Sequence, residues 1–379
     1  MPLSIIKILV CTEFGANLRA EESISVCHSN GRRNSTVHKG RVYVKTISRN
    51  RFIASLILLI ILVTAYWAYH KRGKNDSTVR KVTIAQYGDV FLYAPLYIAK
   101  DAGLFAKRGL DVSLVSTGGD EKTWAAVTSG SASFGVADPT FVAISDSRGQ
   151  PGRVIASIVN GVPFWGVTFK QDIAPFSSSK SLTGLTVATF PAPSTAYTLQ
   201  KKMFIQAGLQ PSIREGAFGT LLTMLRTGQA DIALELEPNV SQAESDGAHV
   251  VYSMGDSYGE FAMTGLTTTP DLLARQPDLA RDVVCSLQMA NDYIRMHPDS
   301  SLDILAARFP EVKRDVAKGA LSRMVAGGIV PKSVVLQPSA WDKAIALRVE
   351  SGDLSNPKSS DSYLDEQYAK WAEQNCHLN

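Results

Sequence analysis

From Val82 to Asp138 short apolar runs alternate with longer amphipathic ones, a rhythm that few architectures admit. VTIAQY (82–87) reads as a strand, PLYIAKDAGLFAKRG (95–109) as a helix opened by Pro95 and closed by Gly109, and LDVSLVST (110–117) as a second strand. DEKTWAAVTSG (120–130) predicts another helix, with acids in its first turn and Gly130 at its end, and FGVAD (134–138) a third strand. Strands joined through helices form a mainly parallel sheet with helices on its faces, because a parallel connection needs a long crossover.

The pattern recurs. LRTGQADIALELEP (225–238) echoes VTSGSASFGVADP (127–139), a helix end, a glycine, an apolar strand and an acid before proline, with the two glycines 98 residues apart. Two α/β lobes follow, which 379 residues, 45% of them hydrophobic, suffice to fill. Lobe 1 is expected over 80–168 and lobe 2 over 169–262, beginning at the polar crossing FKQDIAPFSSSKSLTG (169–184). The return to lobe 1 is expected near GEFAMTGLTTTP (259–270), so that 263–379 comprises that return and, from about residue 271, C-terminal helices that cover lobe 1 and brace the hinge.

FIASLILLIILVTAYWAY (52–69) is uncharged and flanked by basic residues, so it reads as a signal peptide or as a membrane anchor with an aromatic belt at Tyr66, Trp67 and Tyr69. Residues 1–51 form an N-terminal extension whose first 43 residues fit no secretory pattern, which suggests a start site further along, and 70–79 is a polar linker. The first 74 residues carry 12 Lys/Arg against 3 Asp/Glu, whereas 75–379 carry 27 against 32. The formal charge of +4 therefore misleads, and a nucleic-acid function loses its support. Of four cysteines only Cys285 and Cys376 follow the apolar run, and an oxidising compartment permits one bridge between them.

Ligands of open α/β sheets sit outside the carboxyl ends of the strands. That rule selects Gln86, Tyr87, Asp89 and Tyr93 after the first strand, Gly119 after the second, Asp138 and Thr140 after the third, and Asn160 and Trp165 around the next apolar run. In the second lobe it selects Pro193, Ser194 and Thr195 of PAPST, a candidate anion holder or a plain capped turn, together with Glu235 and Glu237. Asp138, followed by Pro139, is well placed to cap a helix. Glu235 and Glu237 share one face of a strand, where each would raise the pKa of the other, or they are solvated or capping acids. Three histidines after the linker, none at metal-ligand spacing, and no nucleophile elbow or phosphate loop leave no catalytic residue, metal or cofactor to expect.

APLYIAKDAGLFAKRGLDVSLV, GGDEKTWAAVTSGSASFGVADP, SLTGLTVATFPAPST and LRTGQADIALELEP, in that order, resemble the nitrate/sulfonate/taurine type of ABC-transporter substrate-binding proteins, which include binders of the thiamine pyrimidine. The resemblance covers roughly residues 80 to 300 and implies a type II periplasmic binding-protein fold, an α/β class with two lobes around a ligand cleft. It further implies a monomer in the periplasm or otherwise outside the cytoplasm, free or anchored to the inner membrane through the apolar run, whose partners are a small solute, an ABC permease and its ATPase, with closure of the lobes as the signal. The cleft residues above are acidic and aromatic with no Arg or Lys, which favours a neutral or cationic heterocycle over an organic sulfonate or an inorganic anion. The rival readings are an enzyme on the same fold, such as a relative of the pyrimidine synthases that consume their own histidine and pyridoxal phosphate, and a sensor tethered to the inner membrane.

Overall fold

A computed structural model of the chain describes residues 59–64, 79–192 and 194–378. The N-terminal extension, residues 70–78 of the linker, Pro193 and all of the apolar run except 59–64 lie outside the described residues. Those six are helical, and no helix among the described residues is long and apolar enough to cross a membrane. The chain divides into two units, Met1–Asn75 and Asp76–Asn379, and every strand among the described residues belongs to the second.

Ten strands follow one another among the described residues: β1 (Arg80–Gln86), β2 (Leu110–Ser116), β3 (Phe134–Ala137), β4 (Arg153–Asn160), β5 (Trp165–Thr168), β6 (Val187–Thr189), β7 (Ile213–Glu215), β8 (Ile232–Glu235), β9 (His249–Ser253) and β10 (Ala262–Thr268). They make two five-stranded sheets, in the orders β2-β1-β3-β10-β4 and β7-β6-β8-β5-β9. β1 runs parallel to β2 and β3, and β6 runs parallel to β7 and β8. One strand in each sheet is reversed: β10 is antiparallel to β3 and β4, and β5 to β8 and β9. These are the first strands the chain makes after passing from one sheet to the other. Because β5 already stands in the second sheet, the passage falls within 161–164, ahead of the 168/169 boundary read from sequence.

The internal echo has a structural basis. β3 and β8 both occupy the third position of their sheets, and all four residues of each are buried, as expected of strands covered on both faces. Each is preceded by a helix, Asp120–Thr128 or Leu221–Arg226, whose end turns through a left-handed glycine, Gly130 at φ 77° and Gly228 at φ 72°. Only glycine adopts that turn without steric cost. The same rule breaks the single helix expected over 95–109 into Ala94–Asp101 and Leu104–Lys107, because Gly103 sits at φ 72° between them.

The C-terminal helices divide their packing. Pro277–Met296 lies against Ala94–Asp101 and Gln367–Asn375 beside the first sheet, whereas Arg314–Ala326 lies against Asn239–Ser245 of the second. Cys285 and Cys376, both buried, form the bridge that the sequence permitted, with Cα atoms 5.3 Å apart.

Gly166 at the middle of β5 marks a close approach: a Cβ there would overlap the ring of buried Tyr252, whose hydroxyl donates to Gln200 Oε1 at 2.6 Å and so cannot swing aside. Gly166→Ala is therefore expected to cost roughly 2 kcal/mol of stability. A urea midpoint unchanged from the parent chain would contradict this account of the packing.

Candidate functional site

The loops leaving the carboxyl ends of β1, β2, β3, β6 and β8 wall a cavity of about 470 Å³. Tyr87, Tyr93, Phe141 and Phe164 face it from one side, Phe190 and Phe218 from the other, and Leu236 and Met263 add apolar surface. Phe190 stacks on Phe218 with ring centroids 6.0 Å apart and tilts against Phe164 at the same distance. Aromatic rings in pairs of this kind present flat apolar faces to a bound molecule.

Of the residues selected from sequence, Tyr87, Tyr93, Gly119, Asp138, Ser194 and Thr195 line this cavity. Gln86, Asp89 and Thr140 stand behind it as supports. Gln86 is buried, and its Nε2 donates to Asp89 Oδ1 at 3.0 Å and to Ser116 Oγ at 3.2 Å. Asn160 and Trp165 are elsewhere, lining a separate depression of about 830 Å³ with Arg323 and the glycines Gly319, Gly327 and Gly328. Glu235 and Glu237 are fully buried and do not reach the cavity, which Leu236 between them does, since neighbours on a strand end point to opposite sides. Pro193 lies outside the described residues.

Asp138 caps its turn and is not the helix N-cap expected from sequence, since it stands two residues ahead of that position, which Thr140 occupies. Its Oδ1 accepts from the Thr140 N–H at 2.8 Å and from the Thr140 hydroxyl at 2.6 Å, and the helix begins only at Phe141. Its Oδ2 meets Arg348 Nη2 at 2.5 Å. Ser194 is a plain N-cap, its Oγ accepting from the Tyr197 N–H at 3.2 Å, so that acceptor is already spent on the helix.

The reading of the cleft as free of Arg and Lys is corrected, since Arg348 from the C-terminal helix Pro338–Glu350 and Lys122 from the helix Asp120–Thr128 line the cavity. Three successive helices end in an arginine of the last turn, Arg308, Arg323 and Arg348, and each pairs with an acid selected from sequence. Arg308 Nη2 holds Asp89 at 2.5 Å, Arg323 Nε holds Glu237 at 2.7 Å, and Arg348 holds Asp138. Burial works against the Asp89 carboxylate, but Arg308, Gln86 and Ser116 together keep its pKa below the ordinary value.

Two carboxyls escape this pairing. Asp120 Oδ1 accepts the Asp138 N–H at 3.0 Å, and desolvation with the nearby Asp138 carboxylate pushes its pKa up to about 6. Burial pushes Glu235 up to about 7; its Oε2 accepts from Asn239 Nδ2 at 3.1 Å and from the Leu236 N–H, while Oε1 has no partner. Mutual repulsion between Glu235 and Glu237 is thus replaced by desolvation as the cause, because Glu237 is tied off by Arg323 and Ser241.

Residues 91–301 match the family model described as NMT1/THI5 like. The chain belongs to the NMT1/THI5-like family. Among relatives of this NMT1/THI5-like chain, the protein YtlA of Bacillus subtilis (strain 168) is 22% identical over 289 residues, covering 74% of this chain and 86% of YtlA. Two solved structures share its fold. The alkanesulfonate-binding protein SsuA from Xanthomonas axonopodis pv. citri, bound to MOPS, superposes with a TM-score of 0.59 at 15% identity, over 76% of this chain and 98% of that one. The periplasmic nitrate-binding protein NrtA from Synechocystis PCC 6803 also gives 0.59, at 16% identity, over 78% and 89%. The periplasmic binding-protein fold expected from the resemblance is therefore the fold of this NMT1/THI5-like protein.

Proposed function

We infer that this NMT1/THI5-like protein is the extracytoplasmic solute-binding component of an ABC importer. One observation carries the reading: a single cavity of about 470 Å³ is walled by strand-end loops of both sheets, so a solute inside touches both and favours their closure. The halves around the two sheets act as the closing lobes, and the closed face delivers the solute to a permease driven by its ATPase. The buried Cys285–Cys376 bridge supports a compartment that oxidises thiols, and the apolar run 52–69 serves as export signal or tether.

The solute we propose is a flat, neutral or cationic heterocycle. Six aromatic side chains offer stacking faces, and the charged groups of the lining are Asp120, Glu121 and Asp138 against Lys122 and Arg348, an arrangement without excess positive charge for an anion. Thermal melts of residues 76–379 with aminopyrimidines, alkanesulfonates, taurine and nitrate test this. A heterocycle present at about 1,000 times its Kd is expected to add ~4 kcal/mol, a shift of several degrees. A shift with sulfonates alone would keep the transport reading and replace the solute class, whereas no shift with any of them would count against the binding role.

A further inference from the structure

We propose that Asp138 is a specificity-determining residue of the cleft: it occupies the Arg348 guanidinium and so prevents this site from binding anions. The inference rests on the reading of the cavity as a solute cleft. Arg348 lines that cavity, yet it is only 8% exposed and each of its three nitrogens is already engaged. Nε donates to Thr140 Oγ1 at 3.1 Å, Nη1 to Asp353 Oδ2 at 3.1 Å and Nη2 to Asp138 Oδ2 at 2.5 Å. A guanidinium recognises a sulfonate or carboxylate through a fork of two parallel N–H groups, and here the fork is closed by two carboxylates of the protein.

The surroundings reinforce the block. The Asp120 carboxyl stands next to Asp138 and accepts its N–H, placing a second acidic group on the approach to Arg348. Asp138 is held in position independently of the arginine, because its Oδ1 is fixed by the Thr140 N–H and hydroxyl. An asparagine at 138 keeps that acceptor and therefore the turn, but offers an amide to Nη2 where a carboxylate had been. The arginine then retains its charge and faces the cavity with part of its fork free.

The test is calorimetric titration of ethanesulfonate and nitrate into the parent chain, Asp138→Asn, Asp353→Asn and the double variant Asp138→Asn/Arg348→Gln, with melting curves recorded for each. The expected result is no measurable anion binding to the parent at millimolar concentrations, a gain of at least tenfold in ethanesulfonate affinity for Asp138→Asn, and loss of that gain in the double variant. Asp353→Asn, further from the cavity, should give a smaller gain and serves as the deciding variant if Asp138→Asn does not fold. The proposal is overturned if the parent binds ethanesulfonate as tightly as the variants, if a folded Asp138→Asn gains nothing, or if the gain survives Arg348→Gln. An aminopyrimidine titration of the parent runs alongside: its failure would count against the solute-cleft reading, while the anion arms still decide the role of Asp138.

Discussion

Reducing the Cys285–Cys376 bridge, or replacing both residues with serine, is expected to lower the melting temperature by roughly 10 °C. The bridge closes a loop of 91 residues of sequence separation, and the chain entropy that such a closure removes from the unfolded state corresponds to about 4 to 5 kcal/mol. The two ends also matter to packing. Cys285 lies in Pro277–Met296, the long helix that supports Ala94–Asp101, and Cys376 ends the final helix Gln367–Asn375, which rests on the same long helix. Losing the bridge therefore lets the last helix depart while exposing one side of the helix that buttresses the first sheet. Differential scanning calorimetry with and without reductant, with thiols counted by alkylation, gives the answer; equal melting temperatures for bridged and fully reduced protein would show that the bridge adds nothing.

Glu235→Gln is expected to stabilise the protein in mild alkali by about 3 kcal/mol, and to have little effect near pH 4. The Glu235 pKa is raised by burial from 4.5 to about 7, so the folded state holds its proton more tightly than the unfolded chain does. The sign follows directly: the stabilising contribution of that proton is fully present below about pH 4.5 and is lost as pH rises through about 7. Above that, folding requires a carboxylate with one unpartnered oxygen in a buried site, a cost that a neutral glutamine avoids. Urea unfolding of both proteins at pH 4.5 and 8.5 distinguishes the cases. An identical difference at the two pH values would mean that Glu235 does not titrate in this range.

Much of this fold was legible because its signals are local. The strand and helix runs, the glycine-terminated turns at Gly130 and Gly228, and the echo between residues 127–139 and 225–238 are each written within a dozen or so residues. The strand-end rule likewise found Tyr87, Tyr93, Asp138 and Ser194 at the cavity. What it missed depends on distance along the chain. Arg348 meets Asp138 across 210 residues and Arg308 meets Asp89 across 219, so a list of acids read from strand ends could not show that they were neutralised. A cation in the last turn of a helix was visible as a pattern at all three positions, but its ordinary reading is an interaction with its own helix end. Asn160 and Trp165 were misplaced for another reason: they flank the passage between sheets, where a strand end leads away from the cavity instead of into it.

The two reversed strands impose an order on biosynthesis. All five strands of the second sheet lie in one continuous stretch, Trp165 to Ser253, and can assemble as soon as that stretch is made. The first sheet cannot: within it β4 pairs only with β10, and β10 is translated a hundred residues later. Until then β4 is an apolar strand without a neighbour, six of its eight residues destined for burial. The nascent chain thus carries an unfinished sheet edge for the whole time its second sheet is being made, which is the interval in which a holding chaperone has something to bind.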